Sequence, residues 1–340
     1  APLRARPESA SSDDRHGDDR HTHRCAPLVA ISIVAHRGGR SRHSWQPRGA
    51  AAAGGRARAS AHKHRERERS QATLLLADVL SRMTLSALPA DSVAHLADFF
   101  CNQLTDYPCA AAVIRGLLAL LRSPLQAVHA LRIGTTLLEE CDVRSLVQAE
   151  RHAALTLANE LAHAHWPSLS SSCVRMLLSA LRGLDGEKDP RNLLLYLQLL
   201  RTLCQRCEEQ RAPGFDVAAE EVFEALALYF PIAFTPPPND PHRITEQHLL
   251  QALLRTLRAS RHFGPPALTF FGSKLHAAEE QPTKMQALQA IAVLAPSFDA
   301  ATLGAHAQRL GAALGAEVAS LASPPPLAAA LGLAPDASEA

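Results

Sequence analysis

Val113-Ile114-Arg115-Gly116-Leu117-Leu118-Ala119-Leu120-Leu121 and Leu249-Leu250-Gln251-Ala252-Leu253-Leu254-Arg255-Thr256-Leu257 decide the fold. In each stretch apolar residues recur at i, i+1, i+4, i+5 and i+8, which lays one broad apolar stripe along a helix. Val222, Phe223, Leu226 and Phe230 make a third stripe. Leu193, Leu194, Leu197, Leu200 and Leu203 make a fourth, apolar around most of its circumference, as befits a helix buried between layers. Between the stripes stand stop and start signals such as Tyr107-Pro108, Ser123-Pro124, Trp166-Pro167, Asp189-Pro190, Ala212-Pro213-Gly214 and Gln281-Pro282. Proline is tolerated at the first helical position, where its missing N–H would have no partner anyway, and Asp189 before Pro190 can cap the helix that follows. Asp185-Gly186 could turn a hairpin of strands, but neither flank alternates with period two. The expected fold is therefore all-α: a HEAT/armadillo-like α-solenoid of antiparallel helical hairpins, repeating at a spacing of about 40 residues.

Composition agrees. Across 340 residues, 47% are hydrophobic and only 4% aromatic. That suits helices packing through aliphatic ridges better than a β-sandwich, and it excludes a chain disordered throughout. The formal net charge of +2 hides an asymmetry. Residues 1–70 carry 15 Lys+Arg against 7 Asp+Glu, which leaves 20 against 26 for residues 71–340. A mildly acidic helical body argues against a phosphate-binding surface, so no direct nucleic-acid contact is expected. No run is long and apolar enough to span a membrane, and none is expected to bind one. The stretch Leu28, Val29, Ile31, Ile33 and Val34 has the length of a signal-peptide core, but the long acid-containing lead before it is unlike a short basic one.

Three segments are expected. Residues 1–70, mixing Arg, His, Ser, Gly and Asp without periodicity, are expected to be disordered; residues 71–322 form the helical-repeat domain; residues 323–340 are a Pro/Ala-rich disordered end. A chain starting at Ala1 and closing on that run reads as a fragment.

The 7 cysteines are odd in number and scattered, which fits reduced thiols in cytoplasm or nucleus. Cys204-x-x-Cys207 lies inside a helical pattern with no second pair at ligand spacing, whereas an iron–sulfur cluster usually needs four thiolates. His163 and His165, at i and i+2 on a helix, point to different faces. The histidines His16, His21, His23, His36, His43, His62 and His64 have no fixed spacing, so no metal or stably bound cofactor is expected. Phosphate loops, nucleophile elbows and zinc-protease helices are missing from the sequence, and no enzyme activity is expected.

Two segments carry more than periodicity: Asp185-Gly186-Glu187-Lys188-Asp189-Pro190-Arg191-Asn192-Leu193-Leu194, and Tyr229-Phe230-Pro231-Ile232-Ala233-Phe234-Thr235-Pro236-Pro237-Pro238-Asn239-Asp240-Pro241-His242. Both, in this order and at about this separation, resemble the N-terminal domain of the MMS-nineteen family. Weaker matches are Leu104 to Pro108 with Gly116-Leu117, Val143 to Leu146 with Arg151-His152, and Glu220 to Glu224. The likeness runs over roughly residues 74–318. Ala233 and Arg243 depart from it, standing where the family usually shows an acid and a glycine.

The resemblance implies a non-catalytic adaptor of cytosolic iron–sulfur protein assembly, in cytoplasm and nucleus. Its implied partners are a WD-repeat propeller protein and a MIP18-type protein. The implied clients are the XPD helicase of TFIIH, DNA polymerases and primase, for repair, replication and transcription. An alternative is a transcription or repair adaptor binding TFIIH independently of cluster transfer. A third reading is a metal-binding protein or enzyme using Cys204, Cys207 and the histidines.

The residues themselves allow two readings of the Pro-rich segment. Pro236-Pro237-Pro238 is expected to hold a polyproline extension that Asn239-Asp240-Pro241 turns, with Tyr229, Phe230, Ile232 and Phe234 anchoring its base. The resulting rigid loop, through His242, is either a protein-docking ridge or an inter-repeat connector. For Asp185 to Asn192 a hairpin turn is expected, with Asp189 as cap and Arg191 pairing with an acid of a neighbouring repeat. A surface contact through Glu187 and Lys188 is the other reading.

Overall fold

The computed structural model describes residues 51–275 and 280–322. Residues 1–50 of the expected 1–70 segment, and the expected end 323–340, lie outside the described residues. Contacts divide the chain between Ala53 and Gly54, and of the first unit only Ala51 to Ala53, the opening of the first helix, is described.

Every regular element among the described residues is helical. The longer helices are α1 (Ala51–Arg82), α2 (Ala90–Gln103), α3 (Ala110–Leu120), α4 (Ala127–Thr135), α5 (Gln148–Ala164), the short α6 (Trp166–Leu169), α7 (Cys173–Leu184), α8 (Pro190–Gln210), α9 (Phe215–Ala227), α10 (Glu246–Leu257), α11 (Gly264–Ser273), α12 (Gln281–Leu294) and α13 (Ala300–Ala322). They sort into two layers. In one, α3, α5, α8, α10 and α12 pack in succession; the other holds α2, α4, α7, α9, α11 and α13. Consecutive helices α2 and α3, α4 and α5, α7 and α8, and α11 and α12 close hairpins between the layers. This is the expected solenoid of helical hairpins.

Local sequence explains the boundaries. Asp189 caps α8 by accepting from the amides of Arg191 and Asn192, with Pro190 at the first helical position. Thr245 and His248 form a reciprocal capping box at the start of α10. One core runs from Leu80 to Phe298, and α8, packed against α5, α7, α9 and α10, buries Leu193, Leu197, Leu200 and Leu203 as its all-round apolar pattern requires.

Three expectations change. The helical region starts at Ala51, well ahead of the expected boundary at residue 70, because Ala, Arg and Glu in this stretch favour helix whatever their polarity. His64 accordingly sits on α1, 3.1 Å from Glu68 one turn on. The stripe of α9 ends at Leu226: Phe230 lies past the helix end and packs edge-on against Phe271 and Phe270 of α11, with centroids 4.9 and 5.8 Å away. Finally, α4 continues into a π-helical turn, Thr136–Glu140, that no local signal announced.

Candidate functional site

The two signature segments meet in space. The hairpin turn between α7 and α8 carries Asp185 and Gly186, the latter at φ 76°, a left-handed conformation that glycine adopts without strain. Glu187 follows and is buried rather than offered to solvent, while Lys188 is exposed. Its carboxylate receives Arg151 of α5 through Nε at 2.9 Å and Nη2 at 3.2 Å. It also accepts the amides of Lys188 and Asp189 at 3.0 Å and Asn192 Nδ2 at 3.3 Å. Arg151 Nη1 donates to the Leu146 carbonyl at 2.8 Å. The hydrogen bonds it donates to Glu187 hold the Arg151 guanidinium above its ordinary pKa, even though burial acts the other way. Next to it, His152 Nδ1 lies 3.2 Å from Asn192 Oδ1, which can only accept. The sequence-flagged pair Arg151-His152 is thus a cross-repeat clamp on the turn.

The acid that Arg191 was expected to find in another repeat is Asp189 of its own turn, bonded at 3.2 Å by both Nε and Nη2. Capping sets this geometry: Asp189 already faces the first turn of α8, which brings its carboxylate to the side chain of Arg191. Burial alone would raise the Asp189 pKa. The hydrogen bonds from Arg191 and from the amides of residues 191 and 192, with the guanidinium charge, outweigh it and hold the carboxyl below its usual range. Gln148 of α5 also reaches Asp189.

From the second segment, Tyr229 Oη donates to the Leu184 carbonyl at 2.7 Å, and burial, with the carboxylates of Glu187 and Asp185 nearby, pushes its phenol up to about 12. His242 Nε2 lies 3.1 Å from Arg191 Nη1, which can only donate. Phe230 and Ile232 are buried, and Tyr229 and Phe234 pack half-buried against the core, forming the base of the loop. The Phe230–Pro231 peptide is cis. Ile232 is held from α12: Gln286 Oε1 accepts its N–H at 3.0 Å and Gln286 Nε2 donates to its carbonyl at 2.8 Å. Nothing in the sequence pointed to Gln286, which lies 54 residues from Ile232.

The loop tip turns sooner than expected. Asp240 N bonds Pro237 O, so the chain reverses from Pro237 instead of running out a full polyproline extension. A second turn follows, Arg243 N to Asp240 O, because the Asp240 carboxylate gathers the amides of His242 at 3.1 Å and Ile244 at 3.2 Å. Arg243 closes it at φ 51°. Pro236, Pro237, Pro238, Asn239, Pro241, His242 and Arg243 are exposed, and Asp240 and Pro231 are half-buried. The ends are tied and the tip is presented.

Cys204 and Cys207 are fully buried on α8, and burial pushes both thiols far above their ordinary pKa. Among the described residues no three His, Cys, Asp or Glu side chains are grouped to hold a metal, and no helix is long and apolar enough to cross a membrane. Burial lowers the pKa of His165. His62 lies on α1, and the other tail histidines, except His64, fall outside the described residues.

Two layers of hairpins, clamped across repeats and presenting a tied loop, define an all-α solenoid of helical hairpins. Residues 59–320 match the family described as the Dos2-interacting transcription regulator of RNA-Pol-II, and the chain belongs to that family. It is similar to the MMS19 nucleotide excision repair protein homologs of Xenopus tropicalis (33% identical over 218 residues, 63% of this chain and 21% of that one) and Homo sapiens (32% over 224 residues, 65% and 21%). The Dictyostelium discoideum homolog is 29% identical over 223 residues, covering 65% and 20%. The chain spans about a fifth of the length of these relatives.

Proposed function

We propose that this chain is a non-catalytic scaffold acting in nucleotide excision repair and transcription as the N-terminal part of an adaptor of cytosolic iron–sulfur protein assembly. It binds no cofactor stably; iron–sulfur clusters are the cargo that the wider assembly hands to its clients. The partners are a WD-repeat propeller protein and a MIP18-type protein. Its clients are the XPD helicase of TFIIH, DNA polymerases and primase, in cytoplasm and nucleus. Neither nucleic acid nor membrane is bound directly. Family membership and the names of the relatives support the repair and transcription setting. The observation that carries the docking role is the loop from Thr235 to Arg243, fixed by Gln286, Tyr229 and His242 and exposed at its tip. A preorganised loop gives up little conformational entropy when a partner docks.

The family's description as a transcription regulator favours a second reading, in which the adaptor binds TFIIH independently of cluster transfer. Affinity capture from cytosol separates them. The chain is compared with a variant in which Pro236 to Asp240 is replaced by a Gly/Ser linker, and iron is assayed in the captured helicases. Recovery of assembly components and iron-loaded clients, lost in the variant, supports the first reading. Recovery of TFIIH without assembly components, with iron loading unchanged on depletion, supports the second. Recovery of none by either bait removes the docking role from the loop.

A further inference from the structure

Proline follows a serine or threonine at three places in the chain: Ser123-Pro124, Thr235-Pro236 and Ser323-Pro324. The structure separates the first two, and Ser323 lies outside the described residues. Ser123 is 8% exposed and its Oγ donates to the Leu120 carbonyl at 2.6 Å, so its hydroxyl is withdrawn from other proteins. Thr235 is exposed, and among the described residues its hydroxyl bonds no other group. It stands in a run, residues 232–237, that is neither helix nor turn, and the ring of Pro236 biases the backbone before it toward an extended form. Ala233 on one side and Pro236 to Asn239 on the other are exposed as well. The run is tied ahead of Thr235 by Gln286 to Ile232, and behind it by the turn from Pro237 to Asp240.

We propose that Thr235 is a phosphorylation site for a proline-directed protein kinase, with magnesium-bound ATP as the phosphoryl donor. The hydroxyl needs no rearrangement to be reached, because it is already exposed on an extended stretch. Proline directly after the acceptor selects this class of kinase, whose pocket for that position suits an apolar ring with no N–H to satisfy. Ile232 stands three residues before the acceptor, where a kinase selective for basic residues needs an arginine. Phe234 is half-buried, so the enzyme reads the chain forward from Thr235, the side on which the proline signal lies. In the transfer Thr235 Oγ1 attacks the γ-phosphorus of ATP, and the bond from that phosphorus to the bridging oxygen breaks with its electron pair, leaving ADP. The hydroxyl proton passes to the base of the kinase. At neutral pH the new ester carries about −1.5 to −2 of charge, on a stretch, residues 235–243, where Asp240 and Arg243 otherwise cancel. The inference rests on the geometry of the loop and holds whether or not a partner docks there.

The folded chain and its Thr235→Ala variant are incubated with magnesium ATP and a mitogen-activated protein kinase or, separately, a cyclic-AMP-dependent kinase, and digests are read by mass spectrometry. The mitogen-activated kinase is expected to phosphorylate Thr235 and to leave Ser123 unmodified, and the cyclic-AMP-dependent kinase to leave Thr235 unmodified. A second variant tests whether the tied loop itself is the substrate. In Gln286→Leu, which loosens the base of the loop, amide exchange at Ile232 is expected to rise about 30-fold, while the initial rate at Thr235 changes by less than about threefold. No phosphate at Thr235 overturns the proposal. A rate that climbs with exchange in Gln286→Leu also overturns it, as does modification of Ser123 at the same rate, since either means that the kinase acts on an opened chain. Equal modification of Thr235 by the cyclic-AMP-dependent kinase overturns the proline-directed class.

Discussion

Replacing Arg151 by methionine removes the cation that, among the described residues, pairs with Glu187, whose side chain is 3% exposed against 22% for Arg151. Two unit charges this close attract by about 4 kcal/mol at an effective dielectric near 20, before desolvation is subtracted. Stripping one partner from a buried pair costs about 3–5 kcal/mol, because the other charge stays buried and unanswered. Two features lower that figure here. Glu187 keeps three donors, the amides of Lys188 and Asp189 and Asn192 Nδ2, and water can enter beside the part-exposed position 151. A loss of about 2–3 kcal/mol is expected, or a urea midpoint lower by about 1 M at a slope of ~2–3 kcal/mol per molar. Helical arrays can unfold in stages, so amide exchange at Asp189 and Asn192 gives the local reading, with protection falling by about 30- to 150-fold. Adding Glu187→Gln to Arg151→Met removes the stranded charge and recovers about 1 kcal/mol. A loss under about 0.5 kcal/mol, or strict additivity of the two changes, refutes the view that the ion pair holds the turn.

The loop base gives a second test: Gln286→Leu leaves the N–H and carbonyl of Ile232 unpaired in a buried place. It is expected to cost about 2 kcal/mol by chemical denaturation, with amide exchange at Ile232 rising more than that at Leu203 in the core. Arg243 holds φ 51°, so Arg243→Gly relieves left-handed strain and, after glycine's greater unfolded-state freedom, raises stability by about 0.5 kcal/mol; a measured loss refutes the strain. Asp189 supplies a pH test. Its folded pKa lies below the ordinary 3.8, so its contribution is complete above the unfolded pKa and fades as pH falls through the folded one. The stability gap between the protein and Asp189→Asn is therefore flat above about pH 5 and narrows below about pH 4, whereas a gap that widens on acidification has the wrong sign.

Period and punctuation made most of the helices legible. The stripes at Val113 and Leu249 are α3 and α10, and the all-round apolar run from Leu193 is α8, because a helix between two layers must be greasy on several faces. Asp189-Pro190 marked a true cap because N-capping depends only on neighbouring residues. What escaped was set by distance or by context. Gln286 meets Ile232 across 54 residues and Arg151 meets Glu187 across 36, and no window of sequence spans such pairs. The π-turn bends a stretch whose residues suit an ordinary helix, and the box at Thr245 closes on a histidine where glutamate is the usual sign. The start of α1 was missed for another reason: polarity without period was taken for disorder, although arginine, alanine and glutamate are good helix formers.

The meeting of the two signature segments separates what each residue in them does. Asp189, Arg191, Asn192, Tyr229 and Ile232 spend their polar groups on one another, on Glu187, on the end of α7 or on α12, so a change at any of them alters the joint between repeats before it alters any surface. Glu187, the residue that looked most available for a charged contact, is the most deeply committed. The tip from Pro236 to Asn239, with Pro241, His242 and Arg243, is exposed and tied at its ends, and its prolines have no N–H to donate. A partner docking there must therefore meet apolar ring faces and a few carbonyls, beside one exposed cation on an otherwise acidic body. The loop's shape is fixed by residues that a partner does not touch, so substitutions at the tip can test binding with the fold intact, and substitutions at Gln286 or Tyr229 can test the fold with the tip unchanged.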